Sequence, residues 1–148
     1  MRKLQFLSAI LFSSLSGFAL AKDLNGTWQN IDDKTGSPKA LLEIRKMPNG
    51  SYNAKVTKIT PRAGYTPRET CANCPAPYTN KPILGLDVLT GLKETKEGNY
   101  DHGKILDPLT GKIYSTKAKL SPNGNRLTLR GYVGVSALGR SQTWIRQD

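Results

Sequence analysis

The sequence predicts an all-β fold, an eight-stranded antiparallel up-and-down barrel with one long loop that contains proline and cysteine. Three observations predict it. Beyond residue 21 the chain alternates apolar and polar residues with period two, and almost none of it shows the period of a helix. Turn signals recur at short intervals between the alternating runs. Two matched tryptophan segments, Gly26-Thr27-Trp28 and Trp144-Ile145-Arg146, bracket the chain, as expected where the first and last strands of a closing sheet meet.

The expected strands are 26–31, 39–47, 51–60, 85–94, 99–106, 112–120, 126–134 and 139–147. Pro48-Asn49-Gly50, Glu97-Gly98-Asn99, Asp107-Pro108 through Gly111, and Pro122-Asn123-Gly124 separate them, each pairing a φ-fixing or left-handed-tolerant residue with a glycine. Strands joined by tight turns are antiparallel neighbours, so the topology is a meander. Closing that meander removes the two edges that would otherwise template aggregation. Leu42, Ile44, Val56, Leu86, Val88, Leu92, Leu127, Leu129 and Val133 fall on recurring same-face positions, with Glu43, Arg45, Lys55, Thr128 and Arg130 opposite. One stretch breaks the rhythm: residues 61–82 hold both cysteines and five prolines, and a loop of this length in a compact domain is usually a lid, a binding loop or a disordered segment, with the prolines and a possible disulfide arguing against full disorder.

The start of the chain reads as an export signal rather than as part of the fold. Arg2 and Lys3 precede an apolar run from Leu4 to Leu20, and Ala19-Leu20-Ala21 supplies a small-x-small cleavage site. The alternative, an uncleaved membrane anchor, requires about 20 strongly apolar residues, more than this run provides. Cleavage near Ala21 leaves residues 22–148 as a single barrel domain, expected to be soluble and periplasmic or secreted. No cysteine stands at the junction to carry a lipid.

The formal net charge is +11. A surplus of that size draws a protein toward an anionic lipid surface or an acidic envelope component, and it also serves solubility alone. Nucleic acid is a poor candidate, because the lysines are spread along the chain instead of forming a stripe interleaved with aromatic residues.

The ordered motifs resemble a family of small secreted bacterial proteins catalogued as domain of unknown function 2147. They are Gly26-Thr27-Trp28, Cys71-Ala72-Asn73-Cys74, Pro82-Ile83-Leu84-Gly85-Leu86, Gly103-Lys104-Ile105-Leu106-Asp107-Pro108, Gly111-Lys112-Ile113-Tyr114, Leu129-Arg130-Gly131-Tyr132-Val133-Gly134, and Gly139-Arg140 through Trp144. The resemblance spans nearly all of the chain beyond the signal segment and implies a lipocalin-like (calycin) barrel that holds a ligand. The Gly-x-Trp opening is also similar to a lipocalin first strand, in which the tryptophan packs against a late arginine near the closed end. Here that resemblance implies a structural plug of Trp28 with Arg146, or with Arg140.

The residues themselves nominate few chemical centres. Cys71 and Cys74 lie among prolines in a loop, without the helix N-terminus and βαβ setting that a thioredoxin-like thiolate requires. In an exported protein a local disulfide is the simplest reading, ahead of a thiol-disulfide activity and of a metal site, for which two cysteines are too few ligands. His102 is the only histidine, Asp101 beside it is expected on the opposite face of a strand, and no nucleophile elbow or histidine pair occurs. Asp107 reads as the side-chain cap of its hairpin. The densest polar, glycine-bearing region runs from Arg130 to Trp144. Its glycines account for a tightly coiled strand, and its arginines for stacking on a tryptophan. The functional alternative makes Tyr114, Arg130, Tyr132, Arg140 and Trp144 the ligand-binding set, with guanidinium groups suited to a carboxylate or phosphate.

The sequence thus predicts a non-enzymatic binding protein for a small hydrophobic, amphipathic or anionic molecule, with the 61–82 loop at the open end and no cofactor or metal. The alternative is an envelope interaction module whose bore is filled by side chains and whose basic surface does the docking; the weaker alternative is a thiol-disulfide protein using Cys71 and Cys74.

Overall fold

The computed structural model describes residues 23–61, 63–64, 66–135 and 139–148; the expected signal segment lies outside the described residues. Eight strands follow in chain order: β1 Gly26–Ile31, β2 Pro38–Lys46, β3 Tyr52–Ile59, β4 Asp87–Lys96, β5 Asn99–Leu106, β6 Ile113–Leu120, β7 Arg126–Tyr132 and β8 Arg140–Arg146. Each pairs with its neighbour, and β1 pairs with β8 to close the barrel. The closing register sets Trp28 against Arg146 and Asn30 against Trp144, so the two tryptophan segments are the seam.

An up-and-down meander sends alternate connections to opposite ends. The short turns β2–β3, β4–β5 and β6–β7 share one end with both described termini. Gly50, Gly98 and Gly124 occupy those turns with φ of 84°, 75° and 74°, a region in which a Cβ is disfavoured. The connections β1–β2, β3–β4, β5–β6 and β7–β8 lie at the other end.

The short-turn end is packed solid. Trp28, Leu92, Leu127 and Leu129 are fully buried there, and Tyr52 and Tyr100 meet edge to face with ring centroids 5.9 Å apart. Burial pushes the Tyr100 hydroxyl up to about 12, so it stays neutral at physiological pH. Arg146 seals this end: its guanidinium lies 4.4 Å from the Trp28 ring centroid and donates to the carbonyls of Gly124, Asn25 and Asp23, while Trp28 Nε1 donates to the Leu24 carbonyl at 2.9 Å. Arg140 lies at the far end of β8, away from Trp28.

Three local departures from the expected pattern have simple causes. β4 starts at Asp87 because residues 83–86 form a turn, closed by the Leu86 N–H on the Ile83 carbonyl at 3.1 Å. β7 ends at Tyr132 because Gly134 takes φ 76°, which turns the chain outward; Val133, expected on the core face, is 74% exposed. His102 has φ 63° and sits in a bulge opposite Gly91 at φ 70°, with its amide held by Asp101 Oδ1 at 2.7 Å. The extra residue resets the alternation, so that Tyr100 and Gly103 are buried while His102 is exposed.

The long β3–β4 connection is fastened at both ends of its cysteine segment. Cys71 and Cys74 form a disulfide, Thr70 bridges to Pro82, and the Ile83 side chain is buried against the barrel. The segment rests on the β5–β6 turn, where Asp107 Oδ1 caps the hairpin by accepting from the Leu109 amide at 2.9 Å. Gly111 in that turn has φ 76°, and a methyl on it would run into the Asn73 carbonyl. Gly111→Ala is therefore expected to cost about 1–3 kcal/mol through backbone strain and to lift the cysteine segment. Denaturant unfolding, with hydrogen exchange of residues 70–75 rising selectively, is the measurement that checks it.

Candidate functional site

The half of the barrel away from Arg146 is open and holds a cavity of about 560 Å³. Its walls come from Leu42, Val56, Ile83, Val88, Ile105 and Trp144, and its rim from the β1–β2, β3–β4, β5–β6 and β7–β8 connections. Such a volume falls in the range typical of small-molecule pockets, about 300–1,000 Å³. The alternative of a bore filled by side chains therefore holds only for the closed half. Residue size at inward positions is the cause: Gly131 stands where a larger residue would project between Tyr114 and Ile105, whereas the closed half has Trp28 and leucines at corresponding positions.

The structure divides the five expected ligand-binding residues. Tyr114, Tyr132, Arg140 and Trp144 border the cavity. Arg130 does not: it lies between the inward-facing Leu129 and Gly131, so strand alternation turns it to the outer wall, where it donates to Ser141 Oγ at 3.2 Å. Tyr132 stands at the border, with the Lys117 ammonium 5.9 Å from its ring centroid. Trp144 is 1% exposed, and its indole N–H already donates to Gln142 Oε1 at 2.9 Å, so it packs behind the cavity wall and has no free donor for a ligand.

Two polar residues in the wall escaped the sequence reading. Asn30 and Gln142 line the cavity, two residues along the strand from Trp28 and Trp144 respectively and hence on the same inward face. The Asn30 side-chain oxygen is buried and has no hydrogen-bond partner among the described residues. An unpaired buried acceptor costs free energy unless a bound group donates to it. Polar residues in phase with the buried tryptophans were the signal that pointed to them.

Charge gathers at the rim. Arg68 and Arg140 are exposed there, with Lys39, Asp33 and Asp107 beside them. Lys39 is already engaged with Asp32 at 3.6 Å, and Asp32 is held down at about 2, mainly by hydrogen bonds from the Thr35 and Lys34 amides, so it stays ionised across the physiological range. That leaves the two arginines as the cavity's most suitable donors for a carboxylate or phosphate.

The cysteines are remote from chemistry of their own. Cys71 is fully buried and Cys74 is 5% exposed, which shields the bond from thiol exchange. Among the described residues no group of three or more His, Cys, Asp or Glu side chains is arranged to hold a metal.

Comparison with known proteins places this geometry. A model of the bacterial family described as "Uncharacterized protein conserved in bacteria (DUF2147)" matches residues 26–146, which spans all eight strands. A solved structure of HP1028, a Helicobacter pylori protein described as belonging to the lipocalin family, is similar with a TM-score of 0.71. The two share 22% identity over 85% of this chain and 84% of that one, a likeness that establishes the lipocalin-like fold. No curated protein matches the chain.

Proposed function

Because the chain belongs to the bacterial family described as DUF2147 and folds as a lipocalin-like barrel, we propose that it is an exported, non-enzymatic binding protein for a small amphipathic molecule. The apolar part of the ligand enters the cavity, and its polar part carries a hydrogen-bond donor that meets Asn30. Arg68 and Arg140 at the rim extend the reading to molecules with an anionic end.

One observation carries it: an apolar-walled cavity of about 560 Å³ with the carboxamides of Asn30 and Gln142 in its wall. Purely hydrocarbon cargo would leave the Asn30 oxygen unpaired, whereas a hydroxyl, an amide or a protonated acid satisfies it once the carboxamide turns toward the cavity. Export, to the periplasm or beyond, is supported by the segment from Arg2 to Ala21 and by a disulfide, a bond that persists in oxidising compartments.

Native mass spectrometry of protein recovered gently from its own host tests the proposal. It is expected to show an added small-molecule mass, or uptake of medium-chain fatty acids or alcohols. A bare protein mass with no uptake of either would overturn it. Asn30→Leu supplies a second measurement. Removing the orphaned acceptor is expected to stabilise the unliganded barrel by about 1 kcal/mol, a rise of roughly 3–6 °C in Tm, while weakening the binding of a fatty alcohol. A lower Tm combined with unchanged alcohol affinity would deny the carboxamide its role.

A further inference from the structure

Among the described residues five large apolar side chains are exposed: Leu84, Leu109, Ile113, Val133 and Val135. Leu84, Leu109, Val133 and Val135 belong to connections at the cavity end, and Ile113 is the first residue of the strand that leaves it. The short-turn end exposes none of them. Single exposed apolar residues are ordinary on protein surfaces, but their confinement to one end calls for a partner. Val133 and Val135 are 74% and 62% exposed and flank Gly134, whose φ of 76° throws the tip outward.

Charge is also unevenly shared. Strands β1 to β4 contain three carboxylates for seven basic residues, with Arg45 bound by Asp87 at 2.7 Å, Lys55 by Glu43 at 3.9 Å, and Lys39 by Asp32 of the β1–β2 turn. Strands β5 to β8 contain one carboxylate, Asp101, which faces Lys117 at 3.9 Å, against Lys104, Lys117, Lys119 and Arg130, with Arg140 at the cavity rim and Arg126 and Arg146 at the sealed end. This basic wall runs into Ile113 and the Val133 to Val135 tip.

We propose that the cavity end and the adjoining β5 to β8 wall dock on an anionic lipid bilayer. The apolar tips enter the interfacial region, and the lysines and arginines meet headgroups. A bilayer fits better than a folded protein, because the apolar residues are separate tips around a charged rim and do not form the continuous face that a stable protein interface buries. Docked this way, the mouth opens against lipid. Leu109, Val133 and Arg140 also border the cavity mouth, whereas Leu84, Ile113, Val135, Lys117 and Lys119 lie outside it, so docking and cavity binding can be tested separately.

Co-sedimentation with phosphatidylcholine vesicles, with and without phosphatidylglycerol, tests it on the exported protein. Binding is expected only with the anionic lipid and is expected to weaken as salt rises. V133D/V135D should weaken it by at least about ten-fold, and K117E/K119E by a similar factor. K46E, at the short-turn end of β2 and away from this wall, should change it far less. All five positions are exposed, and unchanged circular dichroism and Tm confirm that the variants fold. The proposal fails if the wild-type protein ignores anionic vesicles at low salt, or if K46E is as damaging as the variants of the tip and the wall.

Discussion

Arg146→Ala is expected to destabilise the protein by about 2–4 kcal/mol, more than any other single charge removal. The guanidinium closes one end of the barrel by three hydrogen bonds to the Gly124, Asn25 and Asp23 carbonyls and by stacking on Trp28. Hydrogen bonds to a charged donor contribute about 1.5–3 kcal/mol each, and a desolvated cation over an indole up to about 2, offset here because the acceptors stand near solvent. Total stability of a domain of this kind is about 5–15 kcal/mol, so the loss is a large share. Arg146→Lys should recover less than half of it, because an ammonium cannot spread planar donors over three carbonyls while covering a ring. Urea unfolding followed by tryptophan fluorescence measures both. If Arg146→Ala unfolded within about 0.5 kcal/mol of wild type, the plug would be ornamental. The surviving folded protein should bind cavity ligands normally, since Arg146 is at the opposite end.

Gly131→Phe should abolish binding in the cavity, weakening it by more than about ten-fold, without lowering stability. Gly131 lies on β7 facing inward, and a Cβ there would meet Tyr114 and Ile105 at 3.5 and 3.6 Å, ordinary contact distances. Its φ is outside the left-handed region, so a side chain brings no backbone strain. A phenyl ring would occupy the space into which a ligand's apolar part goes, and glycine is a poor strand residue, so the replacement gains packing as it closes the site. Fluorescent fatty-acid titration beside thermal unfolding separates the outcomes. Full binding by a folded Gly131→Phe protein would move the ligand out of this cavity. Gly139 is not an equivalent position, because a Cβ there would press on the Tyr132 side chain and the Gly131 carbonyl.

Much of the fold was legible because turns and alternation are local. Pro48-Asn49-Gly50 and Pro122-Asn123-Gly124 mark their turns through backbone preference alone, and the glycines do adopt positive φ. Where the reading slipped, a backbone irregularity had shifted the parity of a strand. Gly134 ended β7 early and exposed Val133, and the paired bulge at Gly91 and His102 reset the face of β5. Arg130 is a different case. Its alternation already placed it opposite Leu129, and the concentration of glycine and arginine around it outweighed that phase. Asn30 and Gln142 were missed because an inward polar residue looks like any other polar strand residue until its phase with Trp28 and Trp144 is followed.

The sequence by itself determined eight strands in meander order and a proline-rich loop holding a cysteine pair, since each depends on residues near one another in the chain. Only the tertiary structure decided that β1 meets β8, that Arg146 seals one end, that the bore is open at the other, and that Asn30 Oδ1 is left without a partner among the described residues. These depend on side chains meeting across the barrel from strands far apart in sequence. A cavity is a difference between the space the strands enclose and the volume of all inward side chains together, and no local pattern carries that sum.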